Sequence, residues 1–393
     1  MSTRPRPPLC ALAVLSAGLL FAAGAAQATA PGRPVARGCD GYNYGQCSVP
    51  SGLSGVTAIA AGAVHSLALK GDGTVVAWGC GPDHNFGQCS VPSGLSGVSA
   101  IAAGNYHSLA LKDDGTVVAW GCGSGQNWGQ CSVPSGLSGV TAIAAGADQS
   151  LALKGDGNVV AWGCAIDFGQ CNVPNGLSGV TAIAAGYYHS LALKGDGTVV
   201  AWGCGGRDSG QCSVPSGLSG VTAIAASDFH SLALKGGGTI VAWGCGAGND
   251  DGQCRVPSGL SGVTAIAAGT FHSLALKGGG TVVAWGCRAP AAFGQCSVPS
   301  GLSGVTAIAA GTFHTLVLVE LLKQPCRVPK VVGKRVASAK RTIAQRHCRT
   351  GKVGYAYSRT RKMGIVTSQS RRPGRVLPAR SKINLIVSRG RRR

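Results

Sequence analysis

Three short apolar segments travel together along the chain, first as "VTAIAA" from Val56, "HSLALK" from His65 and "TVVAWG" from Thr74. Each has strand length and is bounded by glycine-rich turns, which predicts a β-strand. A fourth segment, "QCSVP", is short and ends at proline, as suits an edge strand. The set returns every 40–42 residues, marked by "SGV" at Ser54, Ser96, Ser138, Ser178, Ser219, Ser261 and Ser303. Such a period marks a stacked or radial repeat protein, and four short strands per unit fit one propeller blade. The seventh copy, Val305–Leu318, lacks its "DGTVVAWGC" half. The N-terminus supplies the missing half, from Val35-Ala36-Arg37-Gly38-Cys39 through Gln46-Cys47-Ser48-Val49-Pro50. These residues are predicted to complete the seventh blade as its two outer strands. The expected fold is all-β, a seven-bladed β-propeller closed by its N-terminal strands, followed by a small α+β domain. Arg37 stands at the seam, where the other six blades have tryptophan.

Between the third and fourth segments of every unit lies an insert framed by two cysteines, its frame kept and its contents changed. Cys39 is framed with Cys47, Cys80 with Cys89, Cys122 with Cys131, and Cys164 with Cys171. Cys204 follows with Cys212, Cys245 with Cys254, and Cys287 with Cys296. Cys326 and Cys348 form a further pair near the C-terminus. Arg4 and Arg6, an apolar run and Ala26-Gln27-Ala28 read as a secretory signal over residues 1–28, cut after Ala28. Its removal takes Cys10 with it and leaves 16 of the 17 cysteines, an even set expected to be disulfide-linked in a secreted chain. Zinc is the rival, but the pairs lack the tight spacing of structural zinc knuckles. It would also require two pairs from different repeats to converge on one ion.

Alternating strand direction puts the "AAGxxH" turns and the cysteine-framed inserts on one face, and the "KGDGT" turns and "PSGLSG" crossovers on the other. The second face hardly changes between repeats, whereas the first changes at nearly every free position. Aromatic and acidic residues collect there: Tyr42, Tyr44, Asp83, Phe86, Tyr106, Trp128, Asp167, Phe168, Tyr187, Tyr188, Asp208, Asp228, Phe229, Asp250, Asp251, Phe271, Phe293 and Phe313. They are the candidate binding residues, because a variable, aromatic-rich loop face on a rigid scaffold is how recognition surfaces are built. For the residue before each histidine, inward packing and recognition are both open; the inserts are expected to be exposed. His65, His107, His189, His230, His272 and His314 recur at one position, but Gln149 replaces histidine in the third unit. Glutamine is a poor transition-metal ligand, so a structural hydrogen-bond role is expected and no metal or cofactor.

The net charge of +21 divides unevenly. Residues 321–393 hold 22 of the 35 Lys and Arg and no acidic residue, leaving residues 1–320 near neutrality. The basic character therefore belongs to a second object. Within it, Val336, Ala339, Ile343 and Ala344 have helical spacing over Lys334–Arg346, and "KVGYAYS", "GIVTSQS" and "KINLIVS" read as strands.

The "AAGxxHSLALKxDGTVVAWG…GQ" pattern resembles the repeat of the regulator of chromosome condensation family over residues 33–319. It is similar above all to the secreted bacterial branch that includes the type II β-lactamase-inhibitory protein. That resemblance implies a seven-bladed propeller, in agreement with the count; the nuclear roles of the family have no evident partner outside a cell. Residues 325–390 resemble a PASTA domain through Val328-Pro329, Gly333, Ala339, Gly351, Gly364, Val366, Gln369-Ser370, Pro373-Gly374 and Ile386-Val387-Ser388. Arg371 stands where that family usually has proline. The resemblance implies an association with peptidoglycan fragments, and the charge independently favours anionic wall polymers.

Glutamate occurs once, at Glu320, and no nucleophile elbow, phosphate loop or zinc-protease motif exists. The expected function is a secreted or envelope-associated, non-enzymatic binding protein, monomeric and without a specific nucleic-acid partner. Its loops would recognise an extracellular protein or glycan and its basic domain peptidoglycan or an anionic wall polymer. The alternatives are an enzyme inhibitor like the β-lactamase-inhibitory relatives, or a lyase or hydrolase. An enzyme would require an acid/base pair converging near the axis of the variable face.

Overall fold

The computed structural model describes residues 26–391, apart from 124, 166, 247, 289–291, 299–301, 321–325, 347 and 378–380. The charged and apolar parts of the leader lie outside the described residues. The chain separates into two compact units, one ending at Glu320 and one beginning at Leu321.

The first unit is a seven-bladed propeller. Blade 1 consists of an inner strand, Val56–Ala61, a middle strand, His65–Lys70, and an outer strand, Val75–Gly79, all antiparallel. Five more blades repeat this pattern through Gly286. Blade 7 has inner strand Val305–Ala310 and middle strand His314–Glu320. Its outer strand is Gly32–Gly38 from the N-terminus, paired residue for residue with His314–Glu320. Arg37 is thereby the register partner of Thr315, as each tryptophan is of the serine in its own blade. Ala26 and Gln27 run on to pair with Ile59 and Ala58 of blade 1. A cut after Ala28 would remove those two residues and leave the Gly32–Gly38 pairing whole.

The middle strands are buried on both faces because each blade is sandwiched between two others. Leu67, Leu69, Ala58 and Ala60 of blade 1 pack on Ile101, Ala110 and Trp120 of blade 2. The same contact closes the ring, where Leu316, Leu318, Ala307 and Ala309 of blade 7 meet Ile59, Ala68 and Trp78 of blade 1. At the axis the inner strand runs into glycine in six blades and into Ser227 in blade 5. A Cβ on Gly62 would strike the carbonyl of Gly104, and each of the other five glycines would meet the next blade's carbonyl in the same way, ending with Gly311 against Gly62.

The predicted fourth strand does not form. In "QCSVP" the Ser48 N–H turns back to Gly45 O (2.8 Å) and the Val49 N–H to Cys47 O (3.1 Å), while Pro50 has no N–H to give. The Gln46 carbonyl is taken by the Trp78 indole (3.0 Å) and the Ser66 hydroxyl (3.2 Å) of the next blade. These backbone groups serve as a latch between blades and are not free to join a ladder. Blades therefore have three strands.

The second unit is α+β. A helix, Val336–Gln345, buries Ala339 and Ile343 against Ile383, Leu385 and Val387 of the strand Lys382–Ser388. That strand lies between Arg349–Ala356 (parallel) and Val366–Gln369 (antiparallel). The disulfide of Cys326 with Cys348 ties the entry segment to the end of the helix.

Candidate functional site

The loop face begins at each outer strand with a Gly-Cys pair. Gly79 has φ 102° and Cys80 φ 57°, and the other blades repeat this left-handed pair. A Cβ at residue 79 would collide with Val64 O, whose oxygen accepts the Cys80 N–H at 3.1 Å. Every framed pair is a disulfide, as the even cysteine set implied. Cys39 is bonded to Cys47, Cys80 to Cys89, Cys122 to Cys131, and Cys164 to Cys171. Cys204 is bonded to Cys212, Cys245 to Cys254, and Cys287 to Cys296. The zinc alternative falls with them, since each sulfur is spent inside its own repeat. Inside each loop a fully buried glutamine ties the backbone. Gln88 Oε1 accepts the Phe86 N–H (2.7 Å) and its Nε2 donates to His84 O (2.5 Å).

Successive inserts are also joined to one another. The residue after the first cysteine donates its N–H to the carbonyl of the residue before Gly-Gln in the preceding insert. The seven bonds are Gly81→Tyr44, Gly123→Phe86, Ala165→Trp128, Gly205→Phe168, Gly246→Ser209, Arg288→Asp251 and Asp40→Phe293, at 2.7–3.2 Å. The last closes the circle. Because only backbone atoms take part, side chains can change without breaking it, which is why the frame persists while the contents vary.

Beneath this ring lies a second one. Each histidine Nε2 meets the hydroxyl at the next blade's middle strand: His65–Ser108, His107–Ser150, His189–Ser231, His230–Ser273, His272–Thr315 and His314–Ser66, at 2.8–3.1 Å. Those hydroxyls already donate to glutamine carbonyls, so they accept from Nε2–H. Nδ1 is buried without a partner in His65, His107, His189, His272 and His314, which leaves a second proton there with no acceptor and favours the neutral ring. Burial pushes all six down to about 3. In blade 3, Gln149 instead donates to Gly186 O (2.9 Å) and His189 O (3.3 Å). Among the described residues no cluster of His, Cys, Asp or Glu could hold a metal ion.

The two loop sets meet through their aromatic side chains. Phe86 packs edge-on to Tyr106 (5.0 Å), and Phe168 to Tyr188 (4.9 Å) beside Tyr187 (4.3 Å) and Phe229 (6.2 Å). Tyr42 stacks on Phe313 (4.5 Å), with Phe293 and Phe271 completing that cluster. Tyr44 lies against His84 (4.0 Å). Tyr42 is exposed; the other rings are half-buried, so an aromatic residue before histidine both packs and keeps surface, whereas Val64 and Asp148 at that position are buried. Trp128 has no ring partner among the described residues, and Asp83 is exposed in the short turn Pro82–His84.

Three acidic candidates are partly committed to the fold. Asp167, Asp208 and Asp250 each accept, through Oδ1, the N–H of the glycine two residues on, as Asn43, Asn85 and Asn127 do. The signal was present as [Asn/Asp]-x-Gly-Gln in these inserts. Asp250 also pairs with Arg255 (2.7 Å), and Asp251 is half-buried beside it.

At the axis, Asn105, Asp228, Thr270 and Thr312 rim a cavity of about 180 Å³ walled by inner-strand alanines. Thr270 donates to Asp228 Oδ2 (3.1 Å). Asp148 stands on the neighbouring ring of positions, 6 % exposed. Burial raises Asp148 to about 6, and burial with the Asp148 charge raises Asp228 to about 6. Burial and the same two carboxyls push Tyr187 up to about 12. Asn105, Thr270 and Thr312 were not among the predicted contacts, because choosing aromatic and acidic residues passed over the neutral polar ones in the same turns; Asp148, an acid of those turns, was also left out.

The model of the regulator of chromosome condensation (RCC1) repeat matches residues 56–88, 98–126, 180–211, 221–253 and 263–288, and that of the PASTA domain matches 327–389. The chain carries RCC1 repeats and a PASTA domain. Blade 3, with Gln149, and the split blade 7 are not among the matched repeats. The RCC1-repeat propeller superposes on Prp20p from Saccharomyces cerevisiae (TM-score 0.61, 20 % identity, 75 % of this chain and 93 % of that one). It also superposes on human WBSCR16 (0.54, 18 %, 74 % and 99 %) and on the ectodomain of the Physcomitrella patens receptor kinase CR4 (0.51, 22 %, 64 % and 66 %). At these identities the likeness is one of fold. No curated protein sequence matches the chain. In the PASTA domain, Gln369 is structural, accepting the Val331 N–H and donating to Pro329 O, both at 2.9 Å. Tyr355 and Ile386 are exposed on its sheet, and Tyr357 is exposed just past the strand Arg349–Ala356.

Proposed function

We propose that this is a secreted, non-enzymatic binding protein whose propeller loop face docks an extracellular protein or glycan. The observation that carries the reading is the interlocking of both loop sets into aromatic clusters on one face, above a backbone ring indifferent to insert sequence. Rigid aromatic area binds at low entropic cost. The PASTA domain would hold the protein at the envelope: its residues from 321 onward carry only positive charge, set around exposed Tyr355 and Tyr357. Prp20p was described with binding properties to Gsp1p and histones, which is a precedent for partner binding by this fold. The eight disulfides favour an oxidising compartment.

The enzyme alternative draws on Asp148 and Asp228 near the axis. Acid and base roles need pKa values pushed apart, whereas both carboxyls move the same way for the same reason, so binding is the better reading. An inhibitor would use the same surface with an enzyme as partner. The test is capture from extracellular and cell-wall fractions with the full chain and with a variant combining Tyr42→Ala, Phe86→Ala and Tyr188→Ala. The expected outcome is a partner retained by the first and lost by the second, together with salt-sensitive wall binding in both. Equal capture by both would sink the loop-face assignment, and a one-to-one complex with an enzyme would select the inhibitor.

A further inference from the structure

Blade 3 departs from the repeat at two consecutive positions, Asp148-Gln149. At the position of Asp148 the other blades have Val64, Tyr106, Tyr188, Phe229, Phe271 and Phe313. Asp148 is thus the one carboxylate in a ring of apolar and aromatic side chains, and no hydrogen bond or ion pair reaches its carboxyl among the described residues. Burying a carboxylate that way is costly unless something pairs with it. Gln149 Oε1, next to it in the chain, is also buried without a partner. Asp228 has one oxygen on Thr270 and no cation among the described residues. Arg207 stands over the Tyr188 ring at 5.9 Å and pairs with neither carboxyl.

We propose that this axial mouth binds an alkylammonium group, held by Asp148 and Asp228 and walled by the rings of Tyr106, Tyr187 and Tyr188. The reasoning is one of complementarity. The site offers acceptors and aromatic faces, which together attract a compact cation with several N–H donors. Two carboxylates without a third ligand do not make a metal cage. The alanine-walled cavity behind the rim suits the methylene chain of the same ligand. Asp148 occupies the ring position between those of Tyr106 and Tyr188 on consecutive blades, and Tyr187 packs on Tyr188 at 4.3 Å. In agreement, the Asp148 charge helps to raise Asp228 and all three tyrosines, and the Asp228 charge helps to raise Tyr187 and Tyr188.

The inference names a ligand chemistry for the face assigned above and rests on that reading, but its test needs no partner. Calorimetric titration of the full chain would use n-butylammonium chloride and Nα-acetyl-lysine N-methylamide, with the Nε-acetylated lysine compound as neutral control. Saturable one-to-one binding of at least one amine is expected. It should be weakened at least fivefold by Nε-acetylation and by Asp148→Asn or Asp228→Asn, and left unchanged by Asp113→Asn on the opposite face. Tighter binding of the lysine compound would mark a partner's side chain, and tighter binding of butylammonium a free amine. No saturable binding, or a smaller effect of either substitution, overturns the proposal. So would a lower melting temperature of Asp148→Asn at pH 8, since a carboxylate without a partner should not be missed by the fold. Failure here with loop-dependent capture intact removes only this site.

Discussion

Six histidines sit between blades with Nε2 on a hydroxyl and Nδ1 facing the residue that ends the inner strand. In five of them that residue is glycine and Nδ1 has no partner; in blade 5, Ser227 replaces glycine and its hydroxyl meets His230 Nδ1 at 2.7 Å. The role was legible beforehand, because one glutamine among six histidines is compatible with a hydrogen bond and not with a metal. Neutrality carries a further consequence. With folded values of about 3 against 6.5 unfolded, the unfolded chain takes up protons below pH 6.5 that the folded chain refuses. Stability is therefore lost as pH falls from 6.5 toward 3, at about 1.4 kcal/mol per pH unit for each histidine. Asp148 and Asp228 act oppositely: raised to about 6, they bind protons in the folded state first and favour it as pH falls from 6 to 3.8. Six against two leaves a net loss, large beside the usual total stability of roughly 5–15 kcal/mol. Acid titration followed by tryptophan fluorescence should show cooperative unfolding well above pH 3. Asp148→Asn, neutral at every pH, should be the more stable chain at pH 8 and converge on the parent below pH 4. A chain still folded at pH 3 would contradict the neutral-histidine ring.

At the scale of the element, the three apolar segments of each unit and the helix over Val336–Gln345 were readable from periodicity, since burial on both faces leaves a continuous apolar signature. The fourth strand was not, because "QCSVP" has strand-like residues whose carbonyl is claimed by the tryptophan and serine of another blade. Nor could the insert-to-insert ring be read, since it uses no side chain. The disulfides were legible as pairs, but their role depends on that ring. A loop this short gains only about 2–3 kcal/mol from cross-linking. The insert is already held by Gln88, by Gly123 N–H on Phe86 O and by Gly81 N–H on Tyr44 O. Replacing Cys80 and Cys89 together by serine should therefore keep the fold, lose about that much in denaturant unfolding, and raise amide exchange at Gly81 and Gly123 by at least tenfold. Unchanged exchange would show that the backbone ring stands without the clamp. Gly79→Ala should cost more than the double serine variant, because it adds a side chain at φ 102° against Val64 O.

For the whole propeller the deciding feature is that its first and last segments share a blade. An open repeat array loses stability roughly one unit at a time when shortened from an end. A closed ring differs, because removing Gly32–Gly38 takes the outer strand from blade 7 and exposes the edge of His314–Glu320 while the other six blades remain whole. Seven residue pairs go, with the packing of Ala36 against Leu316 and Leu318. At about 1 kcal/mol for each lost backbone hydrogen bond, the loss is several kcal/mol and comparable to the stability of the whole. The bared strand edge is also a template for another chain. A chain beginning at Cys39 should accordingly melt at least ~10 °C below one beginning at Thr29, on the scale of about 2–4 °C per kcal/mol for a unit of this size. It should also associate in a concentration-dependent way in sedimentation velocity. A synthetic peptide of residues 29–38 should bind the shortened chain and reverse both effects, because it restores the pairing without the covalent link. Equal melting temperatures for the two chains would mean that blade packing alone holds the ring and that the N-terminal strand adds nothing to its closure.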